Sequence, residues 1–538
     1  MKKLLLITAI FAAFGAQAQL RLVRELNAGT ASANPTGFIV YNGRLFFGAA
    51  GGSGYRRIYA TDGTSAGTAN IRFDDPNTGL LALNNYGTVL FYEYNSNLYF
   101  DAQDNSASDM NVMKLSGVSN AATSVFNITN YTNTNFCRFD AAVGFNNKIV
   151  FNPLWVGQKE PQVIDLVTTS NSGLLKDIFA GSPSSSPTEF TVLGTSCFFA
   201  ADDGINGKEL WKTDGTSAGT SLYLDLFGGS GASNPAELNV LGSQLTFVAS
   251  HPTLGRELFK TNGSGSLTAL KDINTAGDSN PSDCTVIGSL LYFCANNGTN
   301  GREPWVSAGT TLSTHLLFDI SPMGGDSNPT KFIQVGNTVF FVATDAVNGT
   351  ELWKTDGTIT GTFLVKNINP SIASSNPNYL TEYNGKLYFT ADNGTNGTEL
   401  WVSDGTDLGT TMVVDILPGS ASSTISDLIV LNDELYFGAT ASNLIGKELY
   451  AYKDPSLSSN HFASIEKAIT LSPNPTKNYF ELTSELSIEK VEVYSIIGQL
   501  VKTFEQQNQY SITDLVKGSY IVKITTPEGT TNKTLLKE

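Results

Sequence analysis

The sequence has little of what catalytic and metal sites usually require. Three histidines occur in 538 residues, at His251, His315 and His461, and none lies beside a nucleophile motif. The motifs G-x-S-x-G and H-E-x-x-H and the phosphate-binding P-loop do not occur. We therefore predict no enzyme activity and assign no catalytic, cofactor-binding or metal-binding residues. A glycosidase remains an alternative, because its paired carboxylates are brought together by the fold and not by sequence spacing.

Cysteine is as scarce as histidine. The four cysteines, Cys137, Cys197, Cys284 and Cys294, show neither CxxC pairs nor the Cys/His spacing of zinc sites. Cys284 and Cys294 flank a predicted hairpin turn, and a two-residue turn places them on opposite faces of the sheet. We expect free thiols, although export from the cell would permit disulfides.

Long apolar runs are missing beyond the N-terminus. No stretch after residue 18 reaches the roughly 20 apolar residues of a membrane helix. The single long apolar run, Leu4–Phe14, follows Lys2 and Lys3 and precedes Ala16-Gln17-Ala18, which is the pattern of a cleavable signal peptide. We expect residues 1–18 to be removed and the mature chain to begin at Gln19.

Charged residues are few, at 15%, and the formal net charge is −16. The last 70 residues carry 7 Lys against 8 acids, so the acidic excess lies in the middle of the chain. Such a surface repels phosphates, which argues against nucleic-acid binding and leaves basic partners or calcium.

Glycine, aromatic residues and a long repeat are what the sequence has in abundance. There are 51 Gly and 10% aromatic residues, a composition typical of turn-rich all-β folds with a packed core. A Ser-Asn-Pro element, Ser-Ser-Pro in its first copy, recurs at spacings of 48, 46, 48 and 48 residues. Its prolines are Pro187, Pro235, Pro281, Pro329 and Pro377. A period near 48 indicates a repeat architecture.

Each repeat predicts four short antiparallel strands. In Asn376–Ile416 the turn residues Asn384-Gly385, Asp392-Asn393-Gly394 and Asp404-Gly405 separate four apolar runs. Four strands in this length are the content of a propeller blade. We predict an all-β fold: a β-propeller of about nine, alternatively eight, four-stranded blades over residues 19–455, with two smaller propellers as a further alternative. A linker follows at 456–468, and a small C-terminal β-sandwich at 469–538.

The two ends of the repeat region complement each other. The last repeat stops after its third strand, Glu448–Tyr452, and Leu20–Leu26 aligns with the fourth strand of the preceding repeat. We expect the first strand to complete the last blade, which closes the ring and removes two exposed sheet edges.

The repeat also has a recognisable motif. Gly207–Thr220, Gly349–Thr362 and Gly397–Thr410 resemble the ELWxxDGTxxGT repeat family of exported bacterial proteins. That resemblance implies no shared activity and brings no catalytic residues.

The C-terminal region carries three further motifs in order: Ser472-Pro473-Asn474-Pro475, then Val491–Gln499, then Gly518–Ile524. Together they resemble the type A C-terminal sorting domain of type IX secretion substrates in Bacteroidetes. The resemblance implies a small β-sandwich, recognition by the type IX machinery and export across the outer membrane. It also implies removal of the tail, with release of the protein or its attachment to surface lipopolysaccharide.

The motif residues are predicted to be structural. A glutamate recurs at one repeat position, and it should accept hydrogen bonds from turn N–H groups, because a catalytic site needs one asymmetric constellation. The copies are Glu209, Glu257, Glu303, Glu351, Glu399 and Glu448. The tryptophans two residues later should pack between blades, with a stacking platform for sugars as the alternative. Calcium is the alternative role for Asp202-Asp203-Gly204 and Asp392-Asn393-Gly394.

These observations predict a secreted or cell-surface protein that binds or adheres without catalysis, with a glycan or a protein as ligand. A secreted hydrolase acting on polysaccharide and a purely structural surface protein are the alternatives.

Overall fold

The computed structural model describes residues 20–51, 56–73, 90–103, 110–117, 121–127, 139–153, 159–181, 184–370, 372–455, 469–484, 487–495, 500–505, 507, 509–526 and 529–538. The predicted signal peptide, the predicted linker at 456–468 and Cys137 lie outside these residues. The chain divides into two compact units, the first ending at Tyr452 and the second beginning at Lys453.

Nine antiparallel sheets, here called blades 1 to 9, make up the described part of the first unit. The opening strand of the chain, β1 (Leu20–Arg24), belongs to the last of them. Blade 1 contains β2 (Thr36–Tyr41), β3 (Arg44–Ala50), β4 (Arg56–Thr61) and β5 (Ala69–Asn70). Blade 2 contains β7 (Phe91–Tyr94), β8 (Asn97–Gln103), β9 (Met110–Ser116) and β10 (Ala121–Asn127), with the short parallel β6 (Arg72–Phe73) at its edge. Blade 3 contains β11 (Phe139–Phe145), β12 (Lys148–Pro153), β13 (Gln162–Asp165) and β14 (Gly173–Leu174), with a 3-10 turn at Thr169–Asn171.

The remaining blades follow the same order. Blade 4 contains β15 (Thr188–Leu193), β16 (Ser196–Asp202), β17 (Lys208–Thr213) and β18 (Ser221–Leu224). Blade 5 contains β19 (Ala236–Leu241), β20 (Gln244–His251), β21 (Gly255–Thr261) and β22 (Leu267–Lys271). Blade 6 contains β23 (Ser282–Ile287), β24 (Leu290–Asn296), β25 (Arg302–Ser307) and β26 (His315–Leu316). Blade 7 contains β27 (Thr330–Val335), β28 (Thr338–Asp345), β29 (Gly349–Thr355) and β30 (Phe363–Lys366). Blade 8 contains β31 (Asn378–Tyr383), β32 (Lys386–Asp392), β33 (Thr398–Ser403) and β34 (Thr411–Val414). Blade 9 contains β35 (Ser426–Leu431), β36 (Glu434–Ala439), β37 (Glu448–Tyr452) and β1.

The all-β, propeller-like fold predicted from the repeat is confirmed. The first strand of each blade contacts the first strand of the next, from β2 through β31 to β35, and β35 contacts β2 again. These first strands therefore lie around the axis of the unit, and the fourth strands lie outermost. The hydrophobic core fills the gaps between neighbouring blades: Val365 and Ile368 of blade 7 cluster with Leu387, Phe389 and Trp401 of blade 8.

The first strand pairs with the last blade, as the sequence predicted. β1 is antiparallel to β37, with Leu20 opposite Tyr452 and Leu22 opposite Tyr450. The fourth strand of blade 8 ends at Val414, two residues before the end of the predicted repeat at Ile416. It ends there because Asp415 and Ile416 turn into the connector that leads to the next blade, where the Ile416 N–H bonds to Glu399.

The second unit contains two sheets around one core. One sheet has the order β38 (Ile469–Ser472), β39 (Tyr479–Ser484), β42 (Tyr510–Ser511). The other has the order β41 (Leu500–Glu505), β40 (Lys490–Ser495), β43 (Gly518–Thr526), β44 (Gly529–Lys537). Ile469 and Phe480 of the first sheet share a buried cluster with Val491, Val522 and Leu535 of the second, which is the predicted sandwich.

The three described cysteines, Cys197, Cys284 and Cys294, are free thiols. Burial raises the pKa of Cys294 to about 11. No helix in the described residues is long and apolar enough to cross a membrane.

Candidate functional site

The repeated glutamate holds the connector between one blade and the next. Glu399 is fully buried and accepts the N–H of Ile416 at 2.9 Å and that of Ser423 at 2.9 Å. Glu351 likewise accepts N–H groups of Ile368 and Ser375, and the Ser375 hydroxyl at 2.5 Å. Ser375 is the serine of a Ser-Asn-Pro element, so the two most constant features of the repeat bind each other. The predicted structural role of this glutamate agrees with the geometry.

We call a buried glutamate that accepts N–H groups of the following connector a glutamate socket. Blade 3 contains a seventh one, which the sequence analysis did not predict. Glu160 is buried and accepts the N–H groups of Ile178 and Ser185 at 2.9 and 2.8 Å. The neighbouring Pro161 and Gln162 replace the Leu and Trp of the motif, which hid the position. Its spacing of 49 residues before Glu209 was the signal that could have revealed it. Blades 1 and 2 carry Arg57 and Asn111 at this register.

The tryptophans pack between blades. Trp211, Trp305, Trp353 and Trp401 are only 5–6% exposed and lie in the clusters between adjacent blades. None of the four presents a ring face to a ligand, so the sugar-platform alternative does not fit them.

In blades 4, 5 and 7 the lysine after the aromatic residue of the motif forms a latch to the next blade, and the sequence analysis did not assign it a role. Lys212 donates to the Gly263 carbonyl, Lys260 to Gly309 at 2.7 Å and Lys354 to Gly405 at 2.6 Å. Each acceptor lies in the turn after the third strand of the following blade. These bonds tie adjacent blades together at the outer part of the interface.

The turns considered for calcium use their carboxylates internally. Asp202 accepts the N–H of Gly204 at 2.7 Å, and Asp203 accepts those of Ile205 and Asn206. Asp392 accepts the N–H of Gly394 in the same way. In the described ranges, no three His, Cys, Asp or Glu side chains converge as a metal site would require.

At one position of the repeat the backbone conformation is the same in seven blades, while the side chain differs between them. Two residues after the position of the repeat proline, which is Ile425 in blade 9, the first strand has a β-bulge with a left-handed backbone, at φ between 51° and 69°. The residues there are Gly37, Glu189, Glu237, Asp283, Lys331, Tyr379 and Asp427. A left-handed conformation is costly for residues other than glycine, so the bulge is imposed by the sheet. Because this register lies on the axial strands, it brings chemically different side chains around one axis.

The charged members of this axial set reach the next blade. Glu237 accepts the N–H of Cys284 at 2.9 Å, and Asp427 accepts that of Gly37 at 3.1 Å. Burial, with Asp283 and Glu189 nearby, raises the pKa of Glu237. Burial lowers the pKa of Lys331, although Asp283 opposes the shift.

An open cavity of about 260 Å³ lies beside Tyr379, the aromatic residue of this set. Its lining residues come from the first strands of blades 8, 9 and 1: Phe38, Tyr379, Leu380, Thr381, Asp427, Leu428 and Ile429. Tyr379 is 36% exposed. Burial and then the negative charge of Asp427 raise the pKa of the Tyr379 hydroxyl, which places a phenol beside a carboxylate. An aromatic face and an acceptor at an open cavity can bind a ligand.

Comparison with known proteins identifies the C-terminal unit. Residues 470–538 match the secretion system C-terminal sorting domain. The chain therefore carries a type IX sorting domain and is exported to the outer cell surface or the medium. No curated protein matches the chain in sequence.

Several solved structures match at low similarity. Puromycin hydrolase is 12% identical, with a TM-score of 0.35 over 67% of this chain and 58% of that one. Oligopeptidase B from Leishmania major is 12% identical, with a TM-score of 0.38 over 68% of this chain and 53% of that one. Oligogalacturonate lyase in complex with manganese is 12% identical, with a TM-score of 0.32 over 79% and 89%. The chain spans less than two thirds of either peptidase, and similarity at this level carries no argument about activity.

Proposed function

We propose that this exported protein is a non-catalytic binding protein that holds a glycan or a protein ligand at the axis of its blades. The observation that carries the proposal is the axial register, where one backbone geometry presents five residue types in seven blades. Constant positions such as Glu399 and Trp401 are buried in blade contacts and offer nothing to a ligand. The variable position is where the repeats differ from each other, and Tyr379 and Asp427 there adjoin an open cavity.

The test uses the purified mature protein on a glycan array and on an array of 15-residue peptides. We expect selective binding by the wild-type chain and a loss of at least tenfold in Tyr379→Ala. Phe227→Ala is the matched control. The exposed fraction of Phe227, 37%, is nearly the same as that of Tyr379, and Phe227 belongs to a connector of blade 4. It should bind as the wild-type chain does. No selective binding on either array, or full binding by Tyr379→Ala, would overturn the proposal.

A further inference from the structure

The open cavity beside Tyr379, here called the axial cavity, has the size of a site for one side chain. Its volume is about 260 Å³, whereas pockets for small molecules usually enclose about 300–1,000 Å³. Every residue that lines it is at least partly exposed to solvent. A ligand can therefore reach its lining groups without any opening of the fold.

The walls of the axial cavity are mainly apolar. The apolar lining residues are Phe38, Leu380, Leu428 and Ile429. The Thr381 hydroxyl already donates to the carbonyls of Tyr379 and Leu428, at 3.0 and 3.4 Å. A sugar ring, which carries a hydroxyl group on most of its carbons, would leave several of those groups without partners against such walls. The walls fit a hydrocarbon chain better.

One carboxylate oxygen in the axial cavity has no partner and is accessible. Among the described lining residues, Asp427 alone carries a formal charge. Its Oδ2 accepts the Gly37 N–H at 3.1 Å. Its Oδ1 makes no hydrogen bond within the part of the chain that the structure describes, and it is not shielded from solvent. The ring of Tyr379, 36% exposed, lines the same space, so an aromatic face and a free anionic oxygen are available together.

Asp427 is not paired with a cation of the described chain. Lys447 is near enough that Asp427 opposes the lowering of its pKa by burial, but no ion pair joins the two within the described ranges. Lys331, the lysine of the axial set, donates to the Pro377 carbonyl at 3.1 Å. The Asp427 carboxylate therefore keeps its charge available, and the formal net charge of −16 adds a general attraction for cations.

We propose that the axial cavity takes the side chain of a lysine or an arginine from a protein ligand. The aliphatic stem lies against the apolar walls, and the charged end reaches Asp427 Oδ1 and the face of the Tyr379 ring. This inference rests on the proposed function, and it selects a protein over a glycan as the ligand of that site.

The first test measures binding of the purified mature protein to the peptide array. We expect the bound peptides to share a lysine or an arginine. Replacing that residue by norleucine keeps a hydrocarbon stem and removes the charge, and it should weaken binding by about tenfold or more. Added salt should also weaken the binding of the parent peptides, because it screens the attraction between charges.

The second test removes the charge from the protein. Asp427→Asn should weaken binding of the same peptides by about tenfold or more. Asparagine tolerates the left-handed backbone of this position, at φ 52°, and its side-chain oxygen can still accept the Gly37 N–H, so the variant should fold. Asp433→Asn is the matched control, because Asp433 is exposed, has φ 57° and lies in the hairpin turn of the same blade. It should bind as the wild-type chain does.

Three outcomes would overturn this inference while the proposed function stands. Norleucine peptides could bind as tightly as their parents, which decides the matter even where Asp427→Asn does not fold. Asp427→Asn could bind like the wild-type chain while Tyr379→Ala loses binding. Selective binding could also be confined to the glycan array. Absence of selective binding on both arrays would overturn the proposed function and this inference together.

Discussion

The repeat region buries seven glutamate carboxylates, and the hydrogen bonds around them explain why the fold tolerates them. Burying an ionised carboxylate is unfavourable unless donors surround it. Each socket supplies donors from the connector, as Ile320, Ser321 and Ser327 do for Glu303. The glutamate thus fixes the path of the chain into the next blade, and its neighbour Trp305 fills the interface.

Replacing Trp401 or Glu399 of blade 8 should destabilise the ring, because both residues are structural. Trp401→Ala should lower the free energy of unfolding by roughly 3–5 kcal/mol, because it leaves a cavity between blades. Glu399→Ala should cost about 1–3 kcal/mol, because two buried N–H groups lose their acceptor. Denaturant unfolding of both variants checks this. Unchanged stability with lost ligand binding would mean that these residues form a binding site.

The same sockets should make stability depend on pH. Burial raises the pKa of Glu303, Glu399 and Glu448 to about 7, whereas an unfolded glutamate has a pKa of about 4.3. The folded state then binds more protons in this window, so the contribution of these three glutamates to stability is fully present below about pH 4.3 and is lost as the pH rises through about 7. Unfolding midpoints between pH 5 and 8 should decrease, and Glu399→Gln should show a smaller decrease. A midpoint that rises with pH would contradict this account.

At the scale of the strand and blade, clear turn signals made the elements predictable. Asn384-Gly385 is a strong hairpin signal, and β31 and β32 meet there. The bulge on the first strand could not be predicted, because left-handed positions are usually read from glycine. Gly37 carries that signal, whereas Lys331 and Tyr379 do not. The candidate site was missed for this reason: its residues share a backbone geometry and no side-chain chemistry.

The seam between the last and first blades reuses the contacts of the other interfaces. Blade 9 has Ala451 where blades 4, 5 and 7 have the latching lysine, and Arg21 lies opposite Ala451 on β1. Its guanidinium donates to the Gly63 carbonyl at 2.8 Å, the acceptor equivalent to Gly405 in blade 8. Arg24 also donates to the Thr68 carbonyl, as Lys271 does to Thr314.

Arg21→Ala and Lys354→Ala should therefore have comparable effects. Each removes a charged donor to a carbonyl of the neighbouring blade, and each should cost about 1 kcal/mol. Arg21 should cost somewhat more, because it also pairs with Glu434. Chemical denaturation of the two variants tests the comparison. If Arg21→Ala leaves the free energy of unfolding unchanged while Lys354→Ala lowers it, the interface between blades 9 and 1 is not held like the other interfaces.

At the scale of the whole molecule, export and repeat architecture belong to separate units. The sorting domain at 470–538 has its own buried core, and the first compact unit ends at Tyr452. The motifs of the tail were sufficient to predict its role, because sorting is read from a local sequence. The candidate binding site was not predictable, because it depends on which side chains the ring brings together.

A chain truncated after Asp454 should fold and remain in the periplasm. The blades lose no contact within their own unit, while the domain that directs export is gone. Cell fractionation with immunodetection measures this, and the full-length chain is the control. Normal amounts of the truncated chain on the cell surface would contradict the assignment of the tail as the sorting signal.

The central claim is that β1 completes the last blade, so that the axial side chains are held in one ring. Hydrogen exchange of the purified mature protein tests it most directly, with and without Leu20–Asn27. We predict that peptides covering Glu448–Tyr452 lose protection in the deletion variant, because β37 becomes an exposed sheet edge. Thr398–Ser403 of blade 8, whose strand partners are unaffected, should stay protected. Equal protection of Glu448–Tyr452 in both proteins would contradict closure by the first strand.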